Sequence, residues 1–283
     1  MIRAAQPKQL FLVSDAARDE RGGESELVAQ TRAETESQID WDCQVQKIYA
    51  DRNMGCGPRI SSAITQAFQS VAQLIVLEDD CVADPTFFDF CGQTLERFEN
   101  DNRIMSISGD NFQNGISRTD DSYYFSKYTH CWGWATWKRA WQHFSLDMPS
   151  WPEFRDSGGL HAYCDNTHEI EYWTRIFNDC HTGNVSSWAY PWQLSCWMNH
   201  GLTVLPDVNL VTNIGFGDDA THTKQQTQNS HLASHSIDQI RHPQRVFRNH
   251  AADLYTDRVL YSQQVSTFKR LRRKIGLTSR RAA

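Results

Sequence analysis

Three consecutive carboxylates, Glu78, Asp79 and Asp80, close the apolar run Leu74-Ile75-Val76-Leu77. Acids this close repel one another unless they share a positive partner, and hard oxygen donors suit Mn²⁺ or Mg²⁺. Such cations are commonly held by one or two carboxylates together with substrate phosphates, so the residue types point to a ligand carrying a diphosphate. A short apolar run reads as a strand buried on both faces, and open α/β sheets bind ligands beyond the carboxyl ends of such strands. The competing reading is a solvated acidic turn, with Asp84 and Pro85 opening the next helix.

The elements that would position these acids lie on either side. Gln9 to Ser14 predicts a strand ending at Asp15, followed by a polar loop through Gly23, a helix from Ser25 to Ile39 and a second strand from Val45 to Tyr49. Asp51-Arg52-Asn53-Met54-Gly55-Cys56-Gly57-Pro58-Arg59 is a turn whose proline stands where a helix begins, and that helix would run from Pro58 to Ser70. Asp84-Pro85 opens a helix carrying Phe87, Phe88, Phe90, Cys91, Leu95 and Phe98, and Arg103 to Ser108 returns as a strand. The alternation predicts an α/β fold with a mostly parallel central sheet flanked by helices on both faces.

After Gly109 the alternation gives way to a segment dense in Trp, Tyr, His and Gly. Helices are expected near Thr136 to Phe144, His168 to Cys180 and Trp188 to Asn199, with a strand at Leu202 to Leu205 and a mobile polar stretch from Thr223 to Ile240.

The 283 residues accommodate one large domain and a tail. Most of the ten tryptophans fall within the segment 123–197, where their faces suit sugar rings and a protein core equally well. Eight cysteines show neither a Cys-x-x-Cys pair nor zinc-type spacing and read as buried thiols. No leader or membrane-spanning run is recognisable, which gives a cytoplasmic expectation. Seven of the chain's cations lie within 269–281 without an intervening acid, although the net charge is −6. Interleaved with Leu271, Ile275 and Leu277, they suit either a helix resting on anionic lipid at the inner membrane face or a solvated terminus. An acidic body with its cations confined to one tail excludes nucleic acid as the expected partner.

Several motifs in order carry a family resemblance. They are the acid triplet, the Arg52-Asn53-x-Gly55-Cys56 turn, Ile107-Ser108-Gly109-Asp110-Asn111-Phe112, Cys131-Trp132-Gly133-Trp134-Ala135-Thr136-Trp137, and Asn213-Ile214-Gly215-Phe216-Gly217 followed by Ala220-Thr221-His222-Thr223. Over residues 8 to 224 the chain resembles the bacterial family 2-like, GT-A-fold glycosyltransferases, which act on nucleotide-diphospho-sugars. It is more distantly similar to eukaryotic N-acetylglucosaminyltransferase I.

The resemblance implies a GT-A domain over 1–224 and a C-terminal extension with its basic tail over 225–283. It implies a nucleotide-sugar donor, UDP-sugar favoured, a glycan or lipid-linked acceptor, and inversion at the anomeric carbon. Asp80 would bind Mn²⁺ or Mg²⁺, with His222 as a late nitrogen ligand. Glu78 and Asp79 would lie beside the cation or the sugar, Asp15 would face the uridine, and Arg52 or Asn53 would hold the nucleotide. Candidates for the catalytic base are Asp110, Asp147, Glu169 and Glu171, with Asp110 first and Glu171 second. Trp132, Trp134 and Trp192 are candidates for stacking on the acceptor.

Two departures bear on activity. Ala189 follows Trp188 where relatives carry an acid, and the family's first apolar strand with its Arg-Pro has no counterpart before Leu10. They leave open a truncated, non-catalytic domain that binds nucleotide, glycan or a protein partner.

Overall fold

The computed structural model describes residues 2–215 and 232–261. His222, the rest of the Phe216 to Thr223 motif and the basic tail lie outside the described residues. The order is α1 (Ile2–Ala5), β1 (Gln9–Ser14), α2 (Glu24–Ser37), β2 (Gln44–Tyr49), α3 (Cys56–Ala67), β3 (Gln73–Val76), β4 (Cys81–Ala83), α4 (Thr86–Arg97) and β5 (Ile104–Ser108). It continues through β6 (Tyr123–Ser126), β7 (Trp134–Trp137), α5 (Lys138–Trp141), α6 (Trp151–Asp156), α7 (Thr167–His181), α8 (Ala189–Met198), β8 (Leu202–Pro206), β9 (Val211–Asn213) and α9 (His250–Thr256).

Among the described residues these strands form three small sheets of mixed direction. The central one has the order β3-β7-β5-β8-β6, with β5 and β8 parallel and its other neighbours antiparallel. β1 and β2 pair in parallel as a separate ribbon, and β4 pairs antiparallel with β9. The mostly parallel sheet expected from the strand-helix alternation is therefore not what forms. Its physical cause is β7, which the Trp-rich run builds between β3 and β5 and antiparallel to both. Residues 134–137 belong to that strand, so the helix expected from Thr136 shrinks to α5.

β7 shows the period-two logic of a strand covered on both faces. Ala135 and Trp137 face a layer containing Phe87, Phe90 and Leu95 of α4, while Trp134 faces Ile64, Trp188 and Trp192. α4 buries Phe87, Phe90, Cys91, Thr94 and Leu95, one side of a helix, and Asp84 opens it by accepting the Thr86 N–H at 2.9 Å. α8 and α3 cover the opposite face. α3 also buries Ala63 and Ala67 against Ile48, with Phe11 of β1 and Leu74 of β3 packed on the same cluster. One helix thus holds the separate ribbon against the central sheet.

A further aromatic cluster gathers Tyr128, Trp151, Trp173, Phe177, Trp197 and Tyr261. Beside it, the buried Lys127 ammonium donates to Glu169 at 2.5 Å, Asp165 at 3.1 Å and the Tyr163 carbonyl at 2.6 Å. Arg248 reaches Asp165 and Asp253, which fastens the segment 248–253 to the body. Residues 232–240, expected to be mobile, are tied down as well: Ser236 donates to Asp84, and the Ile237 N–H donates to Thr86. No described helix is long and apolar enough to cross a membrane.

Candidate functional site

β3 ends at Val76, earlier than the apolar run implied, so the acid triplet occupies the turn between β3 and β4. All four strand residues are half-buried, because β3 is an edge of the central sheet rather than an interior strand. The Cys81 N–H donates to the Glu78 carbonyl at 3.1 Å and closes the turn, while the Ile214 N–H donates to the Asp80 carbonyl at 2.8 Å. Asp79 is exposed, and Glu78 and Asp80 are half-buried. Burial and then the neighbouring Asp80 charge push Glu78 up to about 7, against the indole N–H of Trp188, which donates to its Oε1 at 3.2 Å. Trp188 is itself held by stacking on Trp134 at 4.9 Å between centroids.

One wall of the site is the turn leading into α3. Asp15, at the end of β1, accepts the N–H groups of Ala16, Met54 and Gly55 at 2.8 to 3.0 Å. Its carboxylate organises that turn, so both oxygens already serve backbone groups rather than standing open toward a base. Asn53 donates to the Ala16 carbonyl at 2.7 Å, and Arg52 is exposed on the same turn. Gly55 sits at φ 75°, a conformation that glycine adopts without strain. The next residue, Cys56, has its thiol pushed up to about 11 by burial and by the charges of Glu78, Asp79 and Asp80, which places the first turn of α3 beside the acids. A Cβ on Gly57 would stand 3.2 Å from the Ser186 hydroxyl and 3.2 Å from the Ser187 backbone nitrogen.

The other wall begins where β5 ends. The Gly109 N–H donates to the Gly133 carbonyl at 2.7 Å, and a Cβ on Gly133 would stand 3.1 Å from Leu77, the residue before the triplet. Asp110 follows, 1 % exposed, with the backbone N–H groups of Trp132 and of Asp110 itself beside its carboxyl and no charged partner among the described residues. Burial raises its pKa well above the carboxylate range, so the neutral acid is favoured. Burial first, and then the charges of Asp110, Glu78 and Asp80, raise the pKa of the Cys131 thiol.

The Asp15 turn thus holds Asn53 and Gly55 next to Cys56, which feels the charges of Glu78, Asp79 and Asp80, and Asp110 is buried just beyond β5. Glu171 is placed differently: it is exposed on α7, with His168 4.0 Å away. Glu169 is committed to Lys127, and the Asp147 carbonyl contacts His181. Trp134 and Trp192 are 1 % exposed and belong to the core, which removes them as stacking platforms; Trp132 is half-buried against Phe112. Among the described residues no three His, Cys, Asp or Glu side chains converge as a metal cage. A groove of about 550 Å³ runs along the outer side of α3 past Met54, Pro58, Ser62 and Phe144, touching the site only at Met54.

Sequence reasoning missed two residues here. Trp188 as the partner of Glu78 left no local signal, being 110 residues away. Arg59 did leave one, since it shares a helical face with Ala63 and Ala67 at a spacing of four. No protein-family model matches the chain, and no curated protein matches it.

Proposed function

We propose that this chain is a metal-dependent glycosyltransferase, moving a sugar from a nucleotide-diphosphate donor, UDP-sugar favoured, to a glycan or lipid-linked acceptor with inversion. The observation that carries this reading is the acid turn beside the amino end of α3, where Glu78 is driven up by burial and by Asp80. Crowded carboxylates with raised proton affinity are a donor set that gains from a shared cation.

Mn²⁺ or Mg²⁺ fits these residues without an all-protein cage, because such ions keep positions for water and substrate phosphate. Asp80 would hold the ion with Asp79 or Glu78 beside it, and the bound cation supplies positive charge to a leaving diphosphate. Asp15 fixes the Arg52-Asn53 turn that faces the nucleotide. Asp110 would serve as the acceptor's base only after losing its own proton, which its burial opposes.

The burial of Asp110 as a neutral acid favours a second reading, a nucleotide- or glycan-binding domain without turnover. Isothermal titration with UDP and Mn²⁺ tests the first. Mn²⁺-dependent binding that disappears in Asp80→Ala is expected, and equal binding to wild type and Asp80→Ala, or none to wild type, overturns it. Sugar transfer or donor hydrolysis by the purified chain then eliminates the second reading.

A further inference from the structure

Two lysine or arginine side chains are buried among the described residues, Lys127 and Arg59. Lys127 lies against Glu169 and Asp165. Among the described residues Arg59, 7 % exposed, has no carboxylate within ion-pairing distance: its Nε lacks any partner, and its Nη1 approaches only the Met54 sulfur, at 3.9 Å. A guanidinium does not discharge itself by losing a proton, so burying one unpaired is costly unless an anion joins it.

Its surroundings say where that anion would sit. Side chains on a helix tilt toward its amino end, and the contact with Met54, two residues before the twelve-residue α3, places the Arg59 fork there. The Cys56 and Gly57 N–H groups open that helix without intrahelical acceptors, and Pro58 has no N–H to compete. The Arg59 N–H is already used by the Gly55 carbonyl at 2.9 Å, so the charge to be satisfied is on the side chain.

We propose that Arg59 and the opening turn of α3 form a buried seat for the diphosphate of a nucleoside diphosphate, gripping phosphate oxygens through the planar fork independently of any metal. The inference deepens the glycosyltransferase reading and rests on it for the identity of the nucleotide. The anion chemistry itself requires only paired phosphoryl groups.

The test uses the full chain, inorganic pyrophosphate and UDP, each titrated calorimetrically in EDTA and again with Mn²⁺. Wild type is expected to bind pyrophosphate in EDTA, with affinity at least tenfold weaker in Arg59→Gln and Arg59→Met, while uridine is unaffected. Arg59→Met is also expected to melt higher than wild type without ligand, since it removes an unpaired buried charge; a merely structural arginine gives a lower melting temperature and unchanged pyrophosphate affinity. Arg59→Lys keeps the charge and loses the fork, so a several-fold loss is expected even should the other variants not fold. Equal pyrophosphate affinity in wild type and any folded variant, or no pyrophosphate binding by wild type, overturns the seat. Pyrophosphate binding lost in the variants alongside absent Mn²⁺-dependent UDP binding in wild type leaves the seat standing and sinks the transferase reading. The reverse pattern does the opposite.

Discussion

Gly215 lies against the Asp80 carboxylate with no room for a side chain: a Cβ there would stand 2.3 Å from Oδ2 and 2.8 Å from the Asp80 Cβ. The adjacent Ile214 N–H bonds to the Asp80 carbonyl at 2.8 Å, and the Gly215 N–H bonds to Asn213 Oδ1 at 2.7 Å, so the backbone has little freedom to yield. In Gly215→Ala the aspartate must turn away. Mn²⁺-dependent UDP affinity, measured by titration, is expected to fall at least about tenfold, with an overpacking cost to stability of about 1–3 kcal/mol in urea unfolding. A folded Gly215→Ala with wild-type affinity removes the present Asp80 position from the binding site.

Asp15 has a comparable role on the opposite wall, because its carboxylate is the acceptor for the Met54 and Gly55 N–H groups. Asp15→Ala leaves those donors without their charged partner, a change expected to cost about 1–3 kcal/mol in urea unfolding. Asp15→Asn keeps one acceptor oxygen and should lose less. An Asp15→Ala variant as stable as wild type means that water replaces the carboxylate and that the turn does not depend on it.

These two residues also mark what the sequence could disclose. The strand ending at Asp15 and the helices α4 and α7 follow local pattern, while α8 and β8 are short stretches buried without alternation, and all of them were legible. Which backbone groups Asp15 would serve was not, since its partners lie 39 and 40 residues further along. The same limit hid the sheet: alternating strands and helices say little about partners, and β7 enters between β3 and β5 from a Trp-rich segment in which a helix was expected from Thr136. The acids of the triplet were legible as a cluster because they are consecutive. The indole holding Glu78 was not, because it comes from another layer.

Lys127 and Glu169 are 3 % and 0 % exposed at their side chains, so neither charge can turn to water for compensation. Burial raises the Glu169 pKa, and Lys127 acts against that rise. Lys127→Met strands the acid, with an expected loss of about 3–5 kcal/mol. Adding Glu169→Gln should recover part of it, because the second change removes the orphaned charge rather than a contact. Chemical denaturation of the two single variants and the double variant measures the coupling, and strict additivity refutes it.

His130 gives the fold a pH dependence of known sign. Burial lowers its pKa to about 3, so the folded chain keeps a neutral ring where the unfolded chain binds a proton. Its contribution is complete above the unfolded value of about 6.5 and is lost as pH falls toward the folded one, at a slope of up to about 1.4 kcal/mol per pH unit. Urea midpoints between pH 7 and 5 should decline less steeply in His130→Phe than in wild type, after each is referred to its own pH 7 value. Parallel declines assign the acid sensitivity to other groups.

Asp110 separates a reacting acid from a structural one. It is 1 % exposed, and burial favours its neutral form against the pull of the backbone N–H groups of Trp132 and of Asp110 itself, so asparagine matches it in shape and charge at neutral pH. Asp110→Asn is therefore expected to change unfolding free energy by no more than about 1 kcal/mol, since it breaks no ion pair and opens no cavity. To act as the acceptor's base the carboxyl must lose its proton before the transfer, and its replacement should lower turnover by about 10²-fold or more while Mn²⁺-dependent UDP affinity holds. Full turnover in Asp110→Asn excludes it as the base. A loss of several kcal/mol in stability would instead mean that Asp110 is ionised and paired in solution, contrary to the burial that keeps it neutral here.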